Sequence, residues 1–102
     1  MQFLVSIIPH MPPTMPKEEV TELLRLETDA AIDLMQRGLL KRIDRVAGRG
    51  GNYSVWETDS VEQLDQVLTS LPMAPYISCE VIPLMKHRVQ IAYEKRFPAA
   101  GQ

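Results

Sequence analysis

Apolar and polar residues alternate along this chain in two different periods. Four short segments show strand-type runs, at residues 2–8, 39–47, 52–57 and 77–82. Two longer segments, residues 16–37 and 60–71, repeat their apolar residues at helical spacing. Prolines, glycines and polar residues separate these segments, so the pattern predicts the order βαββαβ.

That order is typical of one architecture. It predicts an α+β, ferredoxin-like domain: a four-stranded antiparallel sheet with two helices on one face. The 102 residues suffice for one domain with one core. We therefore assign residues 1–87 to this domain and residues 88–102 to a tail. The tail either extends the last strand through Val89, Ile91 and Tyr93 or wraps a neighbouring subunit.

The first helix carries the most informative pattern. Glu27 falls on its apolar stripe, at a position where a leucine would be expected. The stripe is formed by Val20, Leu23, Leu24, Ala31 and Leu34. Burial raises the pKa of a carboxyl group toward the range of a general base. The alternative is a structural ion pair with Arg42 or Arg45.

A glycine-rich turn joins the second and third strands. Gly48, Gly50 and Gly51 supply this turn, which predicts a hairpin. Side chains alternate along a strand, so the third strand has two faces. One carries Tyr53, Val55 and Glu57, and the other carries Asn52, Ser54 and Trp56.

The second helix begins at a capping segment. Ser60 with Gln63 has capping-box spacing, and Asp59 with Glu62 is an alternative of the same kind. Pro72 then ends the helix.

Charge and composition limit the classes of partner molecule expected for this chain. The net charge of −2 gives no electrostatic reason to expect nucleic acid. Cys79 is the single cysteine, so an internal disulfide is impossible, which suits a reducing compartment. The apolar start of the chain is too short to cross a membrane. We expect a cytoplasmic location and no membrane partner.

Several side chains near the hairpin have functional groups that can bind a small acid. Arg49 can bind a carboxylate at two points, or it can be an exposed turn residue. Tyr53 and Asn52 can donate hydrogen bonds to a carbonyl or an enolate, or Tyr53 can belong to the core. His10 and His87 have no spaced Cys or His nearby, so no metal site is predicted.

Four segments together resemble the muconolactone delta-isomerase family. They are residues 48–56 (Gly-Arg-Gly-Gly-Asn-Tyr-Ser-Val-Trp), 59–64, 71–76 (Leu-Pro-Met-Ala-Pro-Tyr) and 81–87. The resemblance runs from the first strand to about residue 87. It implies a ferredoxin-like subunit, dimers that assemble into a larger ring such as a decamer, and a cofactor-free proton shift on a small unsaturated lactone acid in aromatic catabolism.

The resemblance also implies a site. The acidic residue of the family's first helix falls on Glu27. We assign Glu27 and Tyr53 as catalytic residues, and Arg49, Asn52 and Ser54 as substrate contacts. The chain departs from the family pattern at Leu26, Arg49 and Arg88, so activity on a related lactone and loss of activity both stay open.

Two other functions remain alternatives. Related folds host several cofactor-free chemistries, so a cofactor-free oxygenase of the dimeric α+β barrel type is one of them. A small-acid binding protein without turnover is the other.

The sheet face opposite the helices also needs a cover. We expect it to include some of Leu4, Ile8, Trp56 and Ile82. A homo-oligomer built from dimers, with the tail reaching a neighbour, would bury this face.

Overall fold

A computed structural model describes residues 1–98, so residues 99–102 at the end of the predicted tail lie outside it. The sheet consists of four strands, β1 (Gln2–Pro9), β2 (Leu40–Arg45), β3 (Asn52–Glu57) and β4 (Ile77–Leu84). The helices are α1 (Lys17–Gln36), α2 (Val61–Ser70) and α3 (Arg88–Arg96), with a short 3-10 turn at Ala74–Tyr76.

The strands form one antiparallel sheet in the order β2-β3-β1-β4. Strand β1 lies in the interior, with Phe3 opposite both Trp56 of β3 and Pro83 of β4. This topology confirms the expected ferredoxin-like fold.

Helices α1 and α2 cover one face of the sheet, which we call the helix face. Its core is built around Phe3 and Val5 of β1, which pack with Leu34 of α1 and with Leu64 and Leu68 of α2. These apolar residues alternate with neighbours that point to the opposite, open face. The open face carries Leu4, Ile8 and Ile82, as the sequence indicated.

Trp56 corrects one part of that prediction. Its side chain is 2% exposed and belongs to the core on the helix face. The reason is the register of β3, because Trp56 lies opposite Phe3 and therefore shares its face. Its indole N–H donates to the Ser54 hydroxyl at 2.8 Å, which satisfies the buried nitrogen.

Helix α1 follows the predicted periodicity. Pro16 precedes its first residue, and Glu18 and Glu19 lie in the first turn, where acidic groups complement the helix dipole. Gly38 follows the helix with φ of 78°, a left-handed conformation that favours glycine. Leu34 is buried, whereas Leu26 and Ile32 are exposed on the outer side.

Helix α2 begins with the capping box formed by Ser60 and Gln63, which is the first of the two alternatives predicted from the sequence. The Gln63 N–H donates to Ser60 Oγ at 3.1 Å, and Gln63 Oε1 accepts from the Asp59 N–H at 2.7 Å. Two backbone donors at the start of α2 are thereby satisfied.

The segment after β4 is helical, so the alternative in which the tail extends the last strand is wrong. The Val89 N–H donates to His87 Nδ1 at 3.0 Å, which caps α3. Tyr93 and Phe97 stack with ring centroids 5.2 Å apart, and Val89 lies one helical turn before Tyr93. All three side chains are exposed, so α3 presents an apolar stripe that the described part of its own chain leaves uncovered.

Candidate active site

A cavity of about 530 Å³ opens between α1 and the helix face of the sheet. Three polar side chains of the described residues line it, those of Glu27, Arg45 and Asn52. Apolar residues form the rest of the wall and include Ile7, Val20, Leu24, Ala31, Leu40, Ile43, Trp56, Met73 and Ile77. An apolar pocket with a few convergent polar groups is the usual form of a small-molecule site.

Strand register places the polar groups at one level. Arg45 lies opposite Asn52, Asn52 opposite Ile7, and Ile7 opposite Cys79. At about 4.8 Å between strands, this row spans roughly 14 Å. Burial, and secondly the negative charge of Glu27, raise the pKa of the Cys79 thiol. Glu27 reaches the same cavity from α1, and Arg45 lies at one end of the row.

The Glu27 carboxylate is held by a backbone amide. The Met73 N–H donates to Glu27 Oε1 at 3.3 Å. Burial raises the pKa of the Glu27 carboxyl above its ordinary value of 4.5, and the Met73 hydrogen bond partly opposes this shift. The side chain keeps access to the cavity. A carboxylate in this state accepts a proton more readily than an ordinary surface glutamate.

The segment between α2 and β4 makes the Met73 donor available. The Ala74 N–H donates to the Leu71 carbonyl at 2.9 Å, and the Tyr76 N–H donates to the Met73 carbonyl at 2.8 Å. These two turns close around Met73 while leaving its own N–H free to reach Glu27. The Tyr76 carbonyl accepts from the His10 N–H at 2.7 Å, which ties the segment to the end of β1.

Arg45 is the site residue that sequence reasoning missed. A bulge between Leu40 and Arg42 shifts the alternation of β2, so that Leu40, Ile43 and Arg45 share the helix face. Arg42 points to the open face and binds Asp44, with Nε 2.8 Å from Oδ2. Within residues 1–98 no arginine forms an ion pair with Glu27, so the structural ion pair considered above is not observed.

Asn52 contributes an amide at the middle of the polar row. Its Oδ1 atom is buried and has no hydrogen-bond partner among the described residues. Gly51, at φ of 91°, precedes it, and a Cβ atom there would collide with the Ile7 carbonyl. Glycine thus allows the hairpin to approach β1 and brings the Asn52 amide into the cavity.

The other predicted site residues lie elsewhere. Arg49 donates to the Gly50 carbonyl at 3.0 Å, and its Cζ is 5.8 Å from the Tyr53 ring centroid. Tyr53 projects from the open face, because it alternates with Asn52. Ser54 is buried, where it accepts the Trp56 N–H and donates to the Val5 carbonyl at 3.4 Å. Within one chain the structure brings Glu27 and Asn52 together, and leaves Arg49, Tyr53 and Ser54 outside the cavity.

Cys79 lies on the helix face, where its residue surface as a whole is exposed although its thiol is partly buried. It lies on edge strand β4, beside Ile7, where the helices leave the sheet partly uncovered. Because its pKa is raised, the thiol stays protonated and is a weak nucleophile.

This geometry suits proton transfer on a small acid. Glu27 can take and return a proton, Asn52 can donate a hydrogen bond, and Arg45 can hold an anionic group. Among residues 1–98 no cluster of three or more His, Cys, Asp or Glu side chains could hold a metal ion. In the same part of the chain no helix is both long and apolar enough to cross a membrane.

Comparison with known proteins identifies relatives over most of the chain. The family model described as muconolactone delta-isomerase matches residues 1–90. The muconolactone delta-isomerase of Pseudomonas putida is 33% identical over 96 residues, which cover 94% of this chain and 100% of the relative.

Solved structures show the same fold. A crystal structure of muconolactone isomerase superposes with a TM-score of 0.82 at 35% identity, covering 86% of this chain and 92% of that one. A 5-chloro-2-hydroxyhydroquinone dehydrochlorinase from Burkholderia phenoliruptrix has a TM-score of 0.63 at 12% identity, covering 87% and 98%, and shares the fold alone.

Proposed function

Because this chain belongs to the muconolactone delta-isomerase family, we propose that its cavity isomerises a muconolactone-type acid without a cofactor, with Glu27 as the single base. Family membership makes the protein an isomerase of aromatic catabolism.

The reaction moves one proton. Glu27 removes the acidic hydrogen from the ring carbon that bears the carboxymethyl arm, and the electrons delocalise into a dienolate. The protonated Glu27 then returns the hydrogen to the carbon next to the lactone carbonyl. One C–H bond breaks, another forms, and the ring double bond shifts. Since no electrons leave the substrate, the step needs no oxidant or reductant.

Arg45 and Asn52 supply the complementary contacts. The guanidinium of Arg45 binds the free carboxylate of the substrate, because it can donate two parallel hydrogen bonds. The Asn52 amide donates to the lactone oxygen on which negative charge develops. The row across the sheet supports this arrangement, because it places Arg45 and Asn52 on neighbouring strands of the cavity that Glu27 also lines.

One observation carries the proposal. Glu27 is the carboxylate in the cavity wall, it is partly buried, and a backbone donor fixes its position. Arg49 and Tyr53 keep their predicted roles only as hypotheses, which variants at these positions can test.

The reaction can be followed directly by NMR in heavy water. Incubation with muconolactone is expected to give the enol-lactone product, and deuterium enters the protonated carbon to the extent that the Glu27 proton exchanges with solvent before it is returned. Glu27→Gln preserves the shape of the side chain and removes its basicity, so turnover should fall by about 10²–10⁴-fold. Glu19→Gln, on the exposed part of the same helix, is the control and should retain the rate.

The outcomes separate the functions. A Glu27→Gln protein that is folded and retains near wild-type turnover would end the assignment of the base. Binding of the lactone with neither isomerisation nor exchange would support a binding protein instead. Absence of both binding and exchange would contradict the proposed substrate.

The open face of the sheet exposes Ile8, Tyr53, Ile82 and Leu84 to about 40–50% of their surface. Pairing of two open faces would bury these side chains, and the α3 stripe of Val89, Tyr93 and Phe97 would contact a neighbouring subunit. We therefore propose a homo-oligomer built from dimers.

A further inference from the structure

We infer that the preferred substrate is a muconolactone carrying an apolar substituent on its ring, the size of a short alkyl chain or a phenyl group. This inference rests on the proposed function and names the substrate class of the same site. It follows from the size of the cavity and from the position of its polar groups.

The cavity is larger than an unsubstituted lactone acid requires. Muconolactone has about ten non-hydrogen atoms, with a van der Waals volume on the order of 150 Å³, and needs about 200 Å³ at the packing density of a protein interior. The cavity measures about 530 Å³. The unsubstituted acid would therefore leave more than half of the cavity volume unfilled.

Apolar wall lies on both sides of the polar row, with Pro9, Val20 and Ile77 on one side and Ala31, Leu40 and Trp56 on the other. Along β3 the helix face continues from Asn52 to Trp56, a distance of about 13 Å at 3.3 Å per residue. Ile43 and Leu40 of β2 continue beside it, and Ala31 of α1 lies one helical turn beyond Glu27. We call the wall made by Ala31, Leu40, Ile43 and Trp56 the apolar extension.

The chemistry of the extension selects its occupant. The extension offers no polar side chain, since Glu27, Arg45 and Asn52 are the polar side chains of the cavity wall and lie in or beside the polar row. A carboxylate or a lactone carbonyl placed there would lose its hydration without gaining a hydrogen bond. Hydrocarbon placed there leaves water and contacts Ile43, Leu40 and Trp56, which is favourable.

The reaction restricts where the substituent is attached. The carbon that bears the carboxymethyl arm must keep a hydrogen to lose, and the carbon next to the lactone carbonyl must be free to receive one. The ring carbon between them takes no part in either proton transfer. A substituent on this third carbon leaves the proton shift unchanged and projects away from the two polar ends of the substrate.

The experiment compares muconolactone with its 3-butyl and 3-phenyl derivatives. We expect kcat/KM to be at least tenfold higher for a substituted lactone. Ala31→Leu and Ile43→Phe each fill part of the extension, and both should reduce this preference at least fivefold. Ala30→Leu is the matched control, because Ala30 also packs on the core from α1 but does not line the cavity, and it should keep the preference.

Each result has a definite meaning. Equal or higher kcat/KM for unsubstituted muconolactone would overturn the inference and leave the proposed function intact. The inference also fails, with the proposed function again intact, if folded Ala31→Leu and Ile43→Phe proteins both keep the wild-type preference. If none of the lactones is isomerised or exchanges its proton, the proposed function itself fails.

Discussion

At the scale of single residues, Glu27 combines two opposing influences. Burial raises the pKa of its carboxyl, and the Met73 N–H lowers it in part. The helix thus presents a carboxylate that is fixed in position yet remains basic. This balance has consequences both for activity and for stability.

The activity should depend on the ionisation of Glu27. Only the carboxylate form accepts a proton, so kcat/KM should fall as pH decreases through the raised pKa. The acid limb of the profile should lie above the ordinary value of 4.5. Measurement of kcat/KM between about pH 4 and pH 9 checks this expectation, and a limb at or below the ordinary value for a glutamate would contradict it.

The contribution of Glu27 to stability should change with pH in the opposite direction to its contribution to activity. The folded state holds the Glu27 proton more tightly than the unfolded chain, so this group's contribution is lost as pH rises through the raised pKa. Glu27→Gln should therefore melt higher than the wild type above that pKa, by roughly one to a few degrees, and equally near pH 4. Glu19→Gln is the control and should not melt higher than the wild type, because Glu19 complements the helix dipole.

Arg45 and Arg42 offer a matched pair on opposite faces of β2. Arg45→Gln should raise KM by about 10–100-fold, because a hydrogen bond to a charged group contributes about 1.5–3 kcal/mol. Arg42→Gln should leave KM near the wild-type value, since Arg42 binds Asp44 on the open face. Arg49→Gln, measured in the same series, tests the carboxylate contact predicted from the sequence. A larger rise in KM for Arg49→Gln than for Arg45→Gln would move the carboxylate site to the turn.

Ser54 can be tested for a structural role. Ser54→Ala leaves the buried Trp56 N–H without an acceptor, so the free energy of unfolding should fall by about 1–3 kcal/mol. Ser70→Ala, at an exposed hydroxyl, is the control for thermal or urea unfolding. A stable Ser54→Ala protein with a raised KM would instead support the predicted substrate contact.

At the scale of elements, the sequence predicts what depends on local periodicity. Glu27 stands out because a helical stripe is fixed by residues one or two turns away. The face of Trp56 and the position of Arg45 depend on strand register and on the β2 bulge, which involve residues distant in sequence.

Helix α3 escapes prediction for a different reason. Val89, Ile91 and Tyr93 fit an alternating strand, whereas Val89, Tyr93 and Phe97 fit a helix equally well. The His87 cap favours the helix in the structure.

Helix α3 should act between subunits. Deletion of residues 89–102 removes its apolar stripe and should lower the assembly state or the melting temperature. The double substitution Tyr93→Ala and Phe97→Ala should also lower the assembly state or the melting temperature. Lys95→Ala, outside the stripe, should change either quantity little. Size-exclusion chromatography with light scattering measures the first effect. A truncated protein with unchanged mass and melting temperature would assign α3 no role in assembly.

At the scale of the whole molecule, one apolar sheet face lacks a cover among the described residues. We expect the intact protein to sediment as a homo-oligomer at micromolar concentration. Ile82→Glu places a charge on the open face and should dissociate the dimers, whereas Ile32→Glu places one on an exposed part of α1 and should not. A monomer at micromolar concentration would contradict the proposed assembly.

The central position of β1 also determines when the protein becomes active. Phe3 pairs with Pro83, so one edge of the first strand stays unpaired until the last strand of the sheet has been synthesised. Such pairing between distant parts of a chain is slow compared with helix formation. Met73, which holds the Glu27 carboxylate, lies in the segment that leads into that last strand. During refolding, enzymatic activity should therefore appear with the final strand pairing, later than the helical signal, and report completion of the sheet.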